Sequence, residues 1–382
     1  MARLTLRPLF AVSLVLVAGC GPDPEPTTAA APPPAPTVTA TAVAPTPPPA
    51  EPTGDQRREA ARAALAAKDY GRAKTELDAL LTKNPNDVEA LKMLSEVFAG
   101  QNDNAGATDA LFRAAKADGG KDEVLALGAA KALYDVRRYD DAIAVTQMAT
   151  KTNDKSIPAW MYMGLAQTAK EDYAAAAETY GKLATALPDE PRIHADLALA
   201  QASAGKNDDA KKSAKTALDK WTEARSPKSQ KEIKYGKGAD EIARIARAYR
   251  RAGDAKGAEA TLGKYTVPKD ETAPILDVER GLARVANKDS KGAAAASTKA
   301  KASAGEGFAP AHLVDAGAAA LAKKPDDMKT HLAAYEKGAT PEFAWERKWI
   351  ETLATGGESK PAPDAKKPAA DPKKAVPVTP KK

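Results

Sequence analysis

The sequence predicts an all-α protein built as a solenoid of about seven or eight helical hairpins. Segments such as 159–170 and 173–186 are rich in Ala, Leu, Lys and Glu and carry apolar residues at helical spacing. Turn-forming residues separate such segments, as at 84–87 and 252–254. Alanines at matched positions recur at intervals of 34, 35, 34, 34, 48 and 35 residues. Because one hairpin buries too little apolar surface alone, stability has to come from stacking hairpins on their neighbours.

Residues 1–19 are predicted to be an export signal. Two arginines precede an apolar run over 9–18, which is too short to cross a bilayer, since a spanning helix needs about 20 residues. The run ends in Val-Ala-Gly-Cys20, which resembles the lipobox of bacterial lipoproteins. That resemblance implies lipid attachment at Cys20, the only cysteine of the chain, and a mature protein that begins there. An ordinary cleaved signal with a chance cysteine, or a buried apolar helix, is the alternative.

The segments that flank the repeats are predicted to be disordered: the Pro/Ala/Thr-rich linker within 20–54 and the Lys/Pro/Ala-rich tail at 355–382. Of the 29 prolines, 12 lie in 21–53 and 6 in 356–382. Proline fixes φ and removes a backbone donor, so neither segment can pack a core. The middle of the chain keeps 48 basic and 45 acidic residues and is nearly neutral, so the basic pI does not indicate a nucleic-acid-binding face.

The clearest repeat unit lies between residues 160 and 188. It reads Trp160-x2-Met163-Gly164, then Tyr173-x2-Ala176-x3-Tyr180, then Pro188. This unit resembles the tetratricopeptide repeat, whose pattern is W-x2-L-G-x2-Y, A-x3-F and P, except that Gln167 replaces the expected tyrosine. The resemblance implies that Gly164 lets the paired helix approach closely, that the large rings fill the space between helices, and that Pro188 ends the second helix. It also implies a right-handed solenoid.

The same logic assigns the packing positions and the divisions of the repeat region. The predicted packing residues are Ala73, Ala107, Ala142, Trp160, Gly164, Tyr173, Ala176, Tyr180, Pro188, Ala210 and Ala258. Repeats one to five are predicted over 55–221, followed by an insertion at 222–238 that accounts for the 48-residue interval. Degenerate repeats and a capping helix with three large aromatic side chains are predicted over 239–354.

A search for catalytic chemistry in the sequence gives no candidate. There is no G-x-x-x-x-G-K-[ST] phosphate loop, no dinucleotide-binding glycine pattern and no H-E-x-x-H motif. We expect His194, His312 and His331 to line helices or to face solvent, because they show no ligand spacing. Acidic pairs at 140–141 and 208–209 fall in predicted turns, where N-cap and first-turn charges are favoured. We therefore predict no catalytic residue, no cofactor and no metal.

The resemblance also implies a binding surface, because tetratricopeptide solenoids bind peptides or helices on the face lined by the first helices of their hairpins. The residues carried over to that face include Lys131, Tyr134, Met161, Leu165, Leu199, Arg247, Arg250 and Arg251, with Arg58 and Arg62 at the other end. Such a groove is apolar in the middle and basic at both ends, which suits a ligand with apolar anchors and acidic flanks. Alternatively, Met161 and Leu165 pack on a neighbouring helix and the arginines are only solvated.

Together these features predict a non-enzymatic scaffold of the bacterial cell envelope, anchored by lipid. Its expected partners are envelope proteins and the membrane, with no nucleic acid and no small-molecule substrate. Gly21, next to the lipobox cysteine, favours the outer membrane. The alternative function is a regulatory activator of a peptidoglycan synthase or hydrolase.

Overall fold

The computed structural model describes residues 51–225, 238–269 and 272–355. The predicted export signal, Cys20, nearly all of the linker and of the tail, and most of the insertion lie outside the described residues. Within these three ranges the regular structure is helical and no strand occurs, which confirms the predicted all-α solenoid. None of the helices in this part of the chain is both long and apolar enough to span a bilayer.

Sixteen of the described helices pair in chain order into eight hairpins, and a seventeenth follows them. The first five hairpins are α1 (Gly54–Ala66) with α2 (Tyr70–Lys83), α3 (Val88–Gly100) with α4 (Asn104–Asp118), α5 (Glu123–Asp135) with α6 (Tyr139–Thr152), α7 (Ile157–Ala169) with α8 (Tyr173–Ala186), and α9 (Pro191–Ser203) with α10 (Asn207–Ala224). The last three are α11 (Gly238–Arg251) with α12 (Ala255–Leu262), α13 (Pro274–Ala286) with α14 (Ser290–Ala304), and α15 (Ala309–Leu321) with α16 (Pro325–Glu336), after which come a 3-10 turn (Pro341–Phe343) and α17 (Ala344–Ala354).

Every hairpin turn contains one residue in the left-handed backbone conformation. These residues are Lys68, Asn102, Arg137, Glu171, Gly205, Gly253, Lys288 and Lys323, with φ between 58° and 79°. In each turn the next amide donates to the carbonyl five residues earlier, as Asp69 N does to Ala64 O at 2.8 Å, which is the Schellman closure of a helix end. In five of the turns that next residue is an aspartate whose side chain caps the second helix. The repeat period is thus fixed by one recurring turn.

The predicted packing residues lie mainly between the helices. Ala73, Ala142, Ala176, Ala210 and Ala258 are almost fully buried near the start of each second helix. Ala107, at the matching place in α4, is only half-buried. A Cβ added at Gly164 would lie 2.8 Å from the ring of the buried Tyr180, so the two helices of this hairpin approach as closely as the glycine allows.

Other motif positions of the same hairpin differ from the simple pattern. Trp160 is half-buried and does not fill an interior space; its Nε1 donates to Asp154 O at 2.8 Å. Gln167, which replaces the motif tyrosine, accepts a buried hydrogen bond of 2.7 Å from Thr179 Oγ on the paired helix. A polar contact therefore substitutes for the missing ring. Helix α8 ends at Ala186, two residues before Pro188.

The predicted insertion at 222–238 is partly helical. Helix α10 has 18 residues and continues to Ala224, with Trp221 buried near its end. Helix α11 begins at Gly238 and contacts both α9 and α10. The stack therefore continues across the long interval with α11 packed on the preceding hairpin.

Candidate binding groove

We call the surface formed by the first helices of the hairpins (α1, α3, α5, α7, α9, α11, α13 and α15) the first-helix face. In the last three hairpins this face is covered by the C-terminal segment of the chain, residues 341–354. Phe343, Trp349 and Ile350 of that segment belong to the same buried cluster as Val278 of α13 and Leu313 of α15. The segment is therefore an integral part of the C-terminal core.

Six charged side chains join the C-terminal segment to α11 and α13; we call them the arginine–glutamate cluster. They are Arg247, Arg250 and Arg251 of α11, Glu279 of α13, and Glu342 and Glu346 of the C-terminal segment. Arg251 binds Glu346 with two nitrogens, Nε to Oε1 at 2.7 Å and Nη2 to Oε2 at 2.6 Å. Arg250 bridges both acids, at 3.2 Å from Glu279 and 2.7 Å from Glu346. Three positive and three negative charges thus balance, and all of these side chains except that of Glu342 are buried.

Each arginine of the cluster also lies over an aromatic ring of the C-terminal segment. Arg247 Cζ is 4.1 Å from the centroid of Phe343, Arg250 Cζ is 5.5 Å from Trp349, and Arg251 Cζ is 5.3 Å from Trp345. Planar guanidinium groups can stack on rings and bind carboxylates at the same time, which a lysine cannot do. The segment is consequently recognised by ring stacking and by bidentate charge pairing together.

Burial and charge act in opposite directions on the glutamates of the cluster. Burial raises the pKa of Glu346, but the positive charges of Arg251 and Arg250 outweigh burial and hold the pKa well below its ordinary value. The charge of Arg247 likewise lowers the pKa of Glu342. A glutamate with a lowered folded-state pKa stabilises the fold above the ordinary pKa and loses that effect as the pH falls through the lowered value. Glu342 and Glu346 therefore stay ionised at neutral pH.

A cavity of about 190 Å³ opens on the first-helix face beside the C-terminal segment. The lining residues that matter here are Tyr134 of α5, Leu165 of α7, Tyr173 of α8, Leu199 of α9, Arg247 of α11 and Glu342. Four successive first helices and the C-terminal segment thus contribute to one pocket. Burial raises the pKa of Tyr173 to about 12, so its hydroxyl remains protonated. The wall is mostly apolar, and its charged groups are already paired.

The structure brings together some of the predicted groove residues and separates others. Tyr134, Leu165, Leu199, Arg247 and Arg251 share the pocket. The other three are placed differently. Lys131 is exposed and pairs with Asp135 on its own helix at 2.6 Å. Met161 packs against the core beside α8 and α9. Arg250 lies inside the arginine–glutamate cluster. Partner binding by any of these residues stays a prediction.

The arginines at the C-terminal end of the predicted groove are not an open basic patch. Their exposed fractions are 1%, 4% and 9% for Arg247, Arg250 and Arg251. At the other end, Arg58 pairs with Asp87 and Arg62 with Glu89 of the adjacent first helix. The expected preference for acidic flanks on a ligand therefore loses its physical basis, since these basic groups already have acidic partners within the chain.

The sequence analysis missed the acidic half of this arrangement. Glu279 and Glu346 are buried partners of the arginines and Glu342 is an exposed one, and none of the three was singled out. A signal was available: residues 342–349 read Glu-Phe-Ala-Trp-Glu-Arg-Lys-Trp, a helical segment with apolar anchors and acidic groups. That is the ligand chemistry that the three arginines predicted, located within the same chain.

Comparison with known proteins gives a family match for part of the repeat region. The family model of the tetratricopeptide repeat matches residues 58–123 and 127–191. These two segments are thus similar to tetratricopeptide repeats. The tetratricopeptide repeat is generally a non-catalytic scaffold for protein–protein interaction. The matched segments supply α1 to α8 and so provide Tyr134, Leu165 and Tyr173 of the pocket.

Solved structures with similar folds have low sequence identity to this chain. A tetratricopeptide repeat protein from Parabacteroides merdae is 17% identical, with 65% of this chain and 93% of that chain covered and a TM-score of 0.41. MamA protein is 21% identical, with 47% and 97% covered and a TM-score of 0.35. PilW, a type IV pilus biogenesis factor, is 16% identical, with 56% and 93% covered and a TM-score of 0.34. No curated protein sequence gives a significant match.

Proposed function

We propose that this protein is a non-enzymatic adaptor of the bacterial cell envelope, held to a membrane by a lipid on Cys20, whose tetratricopeptide solenoid binds a segment of a partner protein. The observation that supports binding is the pocket shared by four successive first helices. One wall of that pocket is the C-terminal segment, which fixes where the open part of the groove ends. A partner segment that follows the first-helix face from α1 meets this wall beyond α9.

The pocket suits one large apolar side chain of the partner. A cavity of about 150 Å³ lined by apolar side chains accepts benzene, so about 190 Å³ is enough for an aromatic ring or a large aliphatic group. The charges around it are balanced: Arg244 binds Asp196 at 2.8 Å, and Arg247 binds Glu279 at 2.6 Å and also Glu342. We therefore propose a partner segment with a central aromatic or large aliphatic anchor and no requirement for acidic flanks.

The chemistry of the pocket favours binding over catalysis. Among the described residues that line it there is no histidine or cysteine. Ser203 and Thr168 supply hydroxyl groups, but Ser203 accepts a hydrogen bond from Arg251 at 2.9 Å and Thr168 donates to Gly164 O at 2.8 Å, so neither hydroxyl is paired with a base by the hydrogen bonds of the described residues. A nucleophile without a base is a weak catalyst. The pocket is better suited to holding a side chain than to transforming a substrate.

Site-specific photocrosslinking in the full-length protein tests the groove. A photoreactive amino acid at Leu165 should give one partner adduct, and Leu199→Arg should abolish it by placing a charge in the pocket. The control position is Thr185, exposed on α8 away from the pocket. The same adducts from both positions, or an adduct that survives Leu199→Arg, would contradict the proposed site.

Fractionation tests the lipid anchor independently of the groove. Cys20→Ala in the full-length protein should move the chain from the membrane fraction to the soluble envelope fraction, or leave its export signal uncleaved. Cys20→Ser serves as the conservative control, because a serine hydroxyl does not replace the thiol in the lipid attachment that the resemblance implies. Unchanged membrane attachment of both variants with their export signal removed would contradict this part of the proposal, and it would not bear on the groove.

A further inference from the structure

A second cluster of polar side chains lies in the last hairpin, apart from the pocket. His312 and Asp315 of α15 and His331 of α16 each offer a ligand atom, and these atoms lie within 4.8 Å of one another. The Nδ1 atoms of both histidines are 3.9 Å from Asp315 Oδ2, and the two rings are stacked with centroids 6.0 Å apart. The side chains of His312 and Asp315 are only 15% and 14% exposed.

The hydrogen bonds of His312 determine which of its ring nitrogens can act as a ligand. Its Nε2 lies 3.0 Å from the carbonyl oxygen of Glu306. A carbonyl oxygen only accepts, so Nε2 carries the proton and Nδ1 of the neutral ring presents a lone pair. His312 Nδ1 is buried and has no hydrogen-bond partner among the described residues. A histidine whose second nitrogen donates to a backbone carbonyl is oriented as metal-binding histidines usually are.

Two acceptor atoms therefore face each other without a donor between them. Asp315 Oδ2 is also buried, and it forms an ion pair with Lys301 Nζ at 2.6 Å. The 3.9 Å separation from His312 Nδ1 is too long for a hydrogen bond. His312 Nδ1 is thus a buried acceptor without a donor, which is costly, and a cation placed between it and Asp315 Oδ2 would satisfy it.

A second histidine in the repeat array provides an internal comparison. His194, in the first turns of α9, also places its Nε2 against the carbonyl oxygen of the residue six positions earlier, Pro188, at 2.8 Å. The residue three positions after it is Leu197, where α15 has Asp315. The carbonyl contact is thus a feature shared by two repeats, whereas the grouping of two imidazoles with a carboxylate is found, among the described residues, at His312 and not at His194.

From this geometry we propose that His312, Asp315 and His331 form a site for a divalent transition-metal ion, with Zn²⁺ as the best match. Two imidazole nitrogens and one carboxylate oxygen are a ligand set that Zn²⁺ uses, with a fourth position left for water or another ligand. Zinc at about 2.0–2.1 Å from each ligand holds the ligand atoms roughly 3.3 Å apart. Each histidine nitrogen, now 3.9 Å from Asp315 Oδ2, therefore has to approach it by about 0.6 Å, and no pair of ligand atoms has to close by more than about 1.5 Å. Binding would tie α15 to α16.

Lys301 is the group that limits the affinity of this site. Its ammonium already compensates the charge of Asp315, and its positive charge repels an incoming cation. Lys301→Met should therefore tighten zinc binding, by about tenfold or more, while removing any one ligand should weaken it. A cluster that is only a salt bridge with two adjacent histidines would show neither response.

The experiment is a titration of the full-length, untagged protein with Zn²⁺ in competition with a coloured chelator, and with Co²⁺ to detect the visible absorption of a tetrahedral ion. We expect one saturable site, weakened at least tenfold in His312→Ala, His331→Ala and Asp315→Asn, and unchanged in His194→Ala. Circular dichroism of each variant establishes that it is folded, and Cys20 is common to all of them.

Each remaining outcome decides against the site. Absence of saturable Zn²⁺ binding would overturn it, and so would equal binding by His194→Ala and His312→Ala. Binding unaffected by Lys301→Met would also contradict it, because that result would place the ion away from Asp315. None of these results bears on the pocket at Leu165, so this inference is independent of the proposed function.

Discussion

The N-terminal and C-terminal hairpins have the same fold but treat the charges of their first-helix face differently. In the first two hairpins, basic residues pair with acids at the start of the next first helix, as Lys92 does with Asp122 at 3.6 Å, where both side chains are at least 40% exposed. In the last three hairpins, Arg247, Arg250 and Arg251 are buried under the C-terminal segment. Basic residues on the first helices therefore form exposed ion pairs in one half of the molecule and buried ion pairs in the other.

The difference matters energetically because burial changes what an ion pair contributes. Exposed pairs contribute about 0–1 kcal/mol each, since water screens them and side-chain entropy opposes them. Removing one partner of a buried pair costs about 3–5 kcal/mol, because the other charge is left without compensation. Basic side chains in the N-terminal part of the groove can thus leave their acidic partners at little cost in free energy. The buried arginines of the C-terminal part cannot, because each would lose a carboxylate of its own chain.

The largest expected effect comes from removing a charge that holds the C-terminal segment on the last three hairpins. Glu346→Ala leaves Arg250 and Arg251 buried without their shared carboxylate and should destabilise the C-terminal hairpins by about 3–5 kcal/mol. Repeat arrays can unfold in parts, so the measurement is hydrogen exchange of peptides from α11, α15 and α17, together with urea unfolding followed by tryptophan fluorescence.

Glu351→Ala on the same helix is the matched control for that substitution. Its carboxylate pairs with Arg347 at 3.1 Å, and its side chain is 43% exposed. It should therefore cost less than about 1 kcal/mol. Equal losses of stability in Glu346→Ala and Glu351→Ala would mean that the buried ion pairs of the C-terminal half contribute no more than exposed ones. The energetic difference between the two halves would then not exist.

Alanine substitutions of glycines at helix contacts test whether the helices of both halves pack equally closely. A Cβ at Gly164 would lie 2.8 Å from the Tyr180 ring, and one at Gly281 would overlap Val314 Cγ1. Gly164→Ala and Gly281→Ala should each destabilise the protein by about 1–3 kcal/mol, because the neighbouring side chain has to move. The urea midpoint measures both effects.

Gly128 of α5 is the control for these two glycines, because no atom lies within 4 Å of the position a Cβ would take. Gly128→Ala should stabilise the protein by about 0.4–1 kcal/mol, since alanine lowers the backbone entropy of the unfolded chain without any clash. If all three alanine variants behaved alike, close helix approach would not be what the glycines provide.

Local signals in the sequence were sufficient for the fold. The 34-residue period, the breakers between helices and the alanine positions follow from packing between neighbouring hairpins, and such contacts are close in sequence. The closure of the groove was not predictable in the same way, because Arg251 and Glu346 are 95 residues apart and pair only once the stack has formed. The cluster of His312 with His331 also depended on two helices meeting, and the sequence spacing gave no indication of it.

Apart from the control variants, the smallest expected effect concerns Trp160, the motif residue that the sequence suggested as an interior ring. Its half-buried ring carries Lys182 Nζ 4.4 Å from the centroid, so part of the ring faces solvent and a cation. Trp160→Ala should cost about 1–2 kcal/mol, less than the roughly 3–5 kcal/mol typical of a fully buried aromatic side chain. Tyr180→Ala, at 3% exposure, represents the buried case in the same hairpin. Urea unfolding of the two variants side by side measures the difference, and a larger loss for Trp160→Ala would show that the edge of the N-terminal half, not its interior, holds these repeats together.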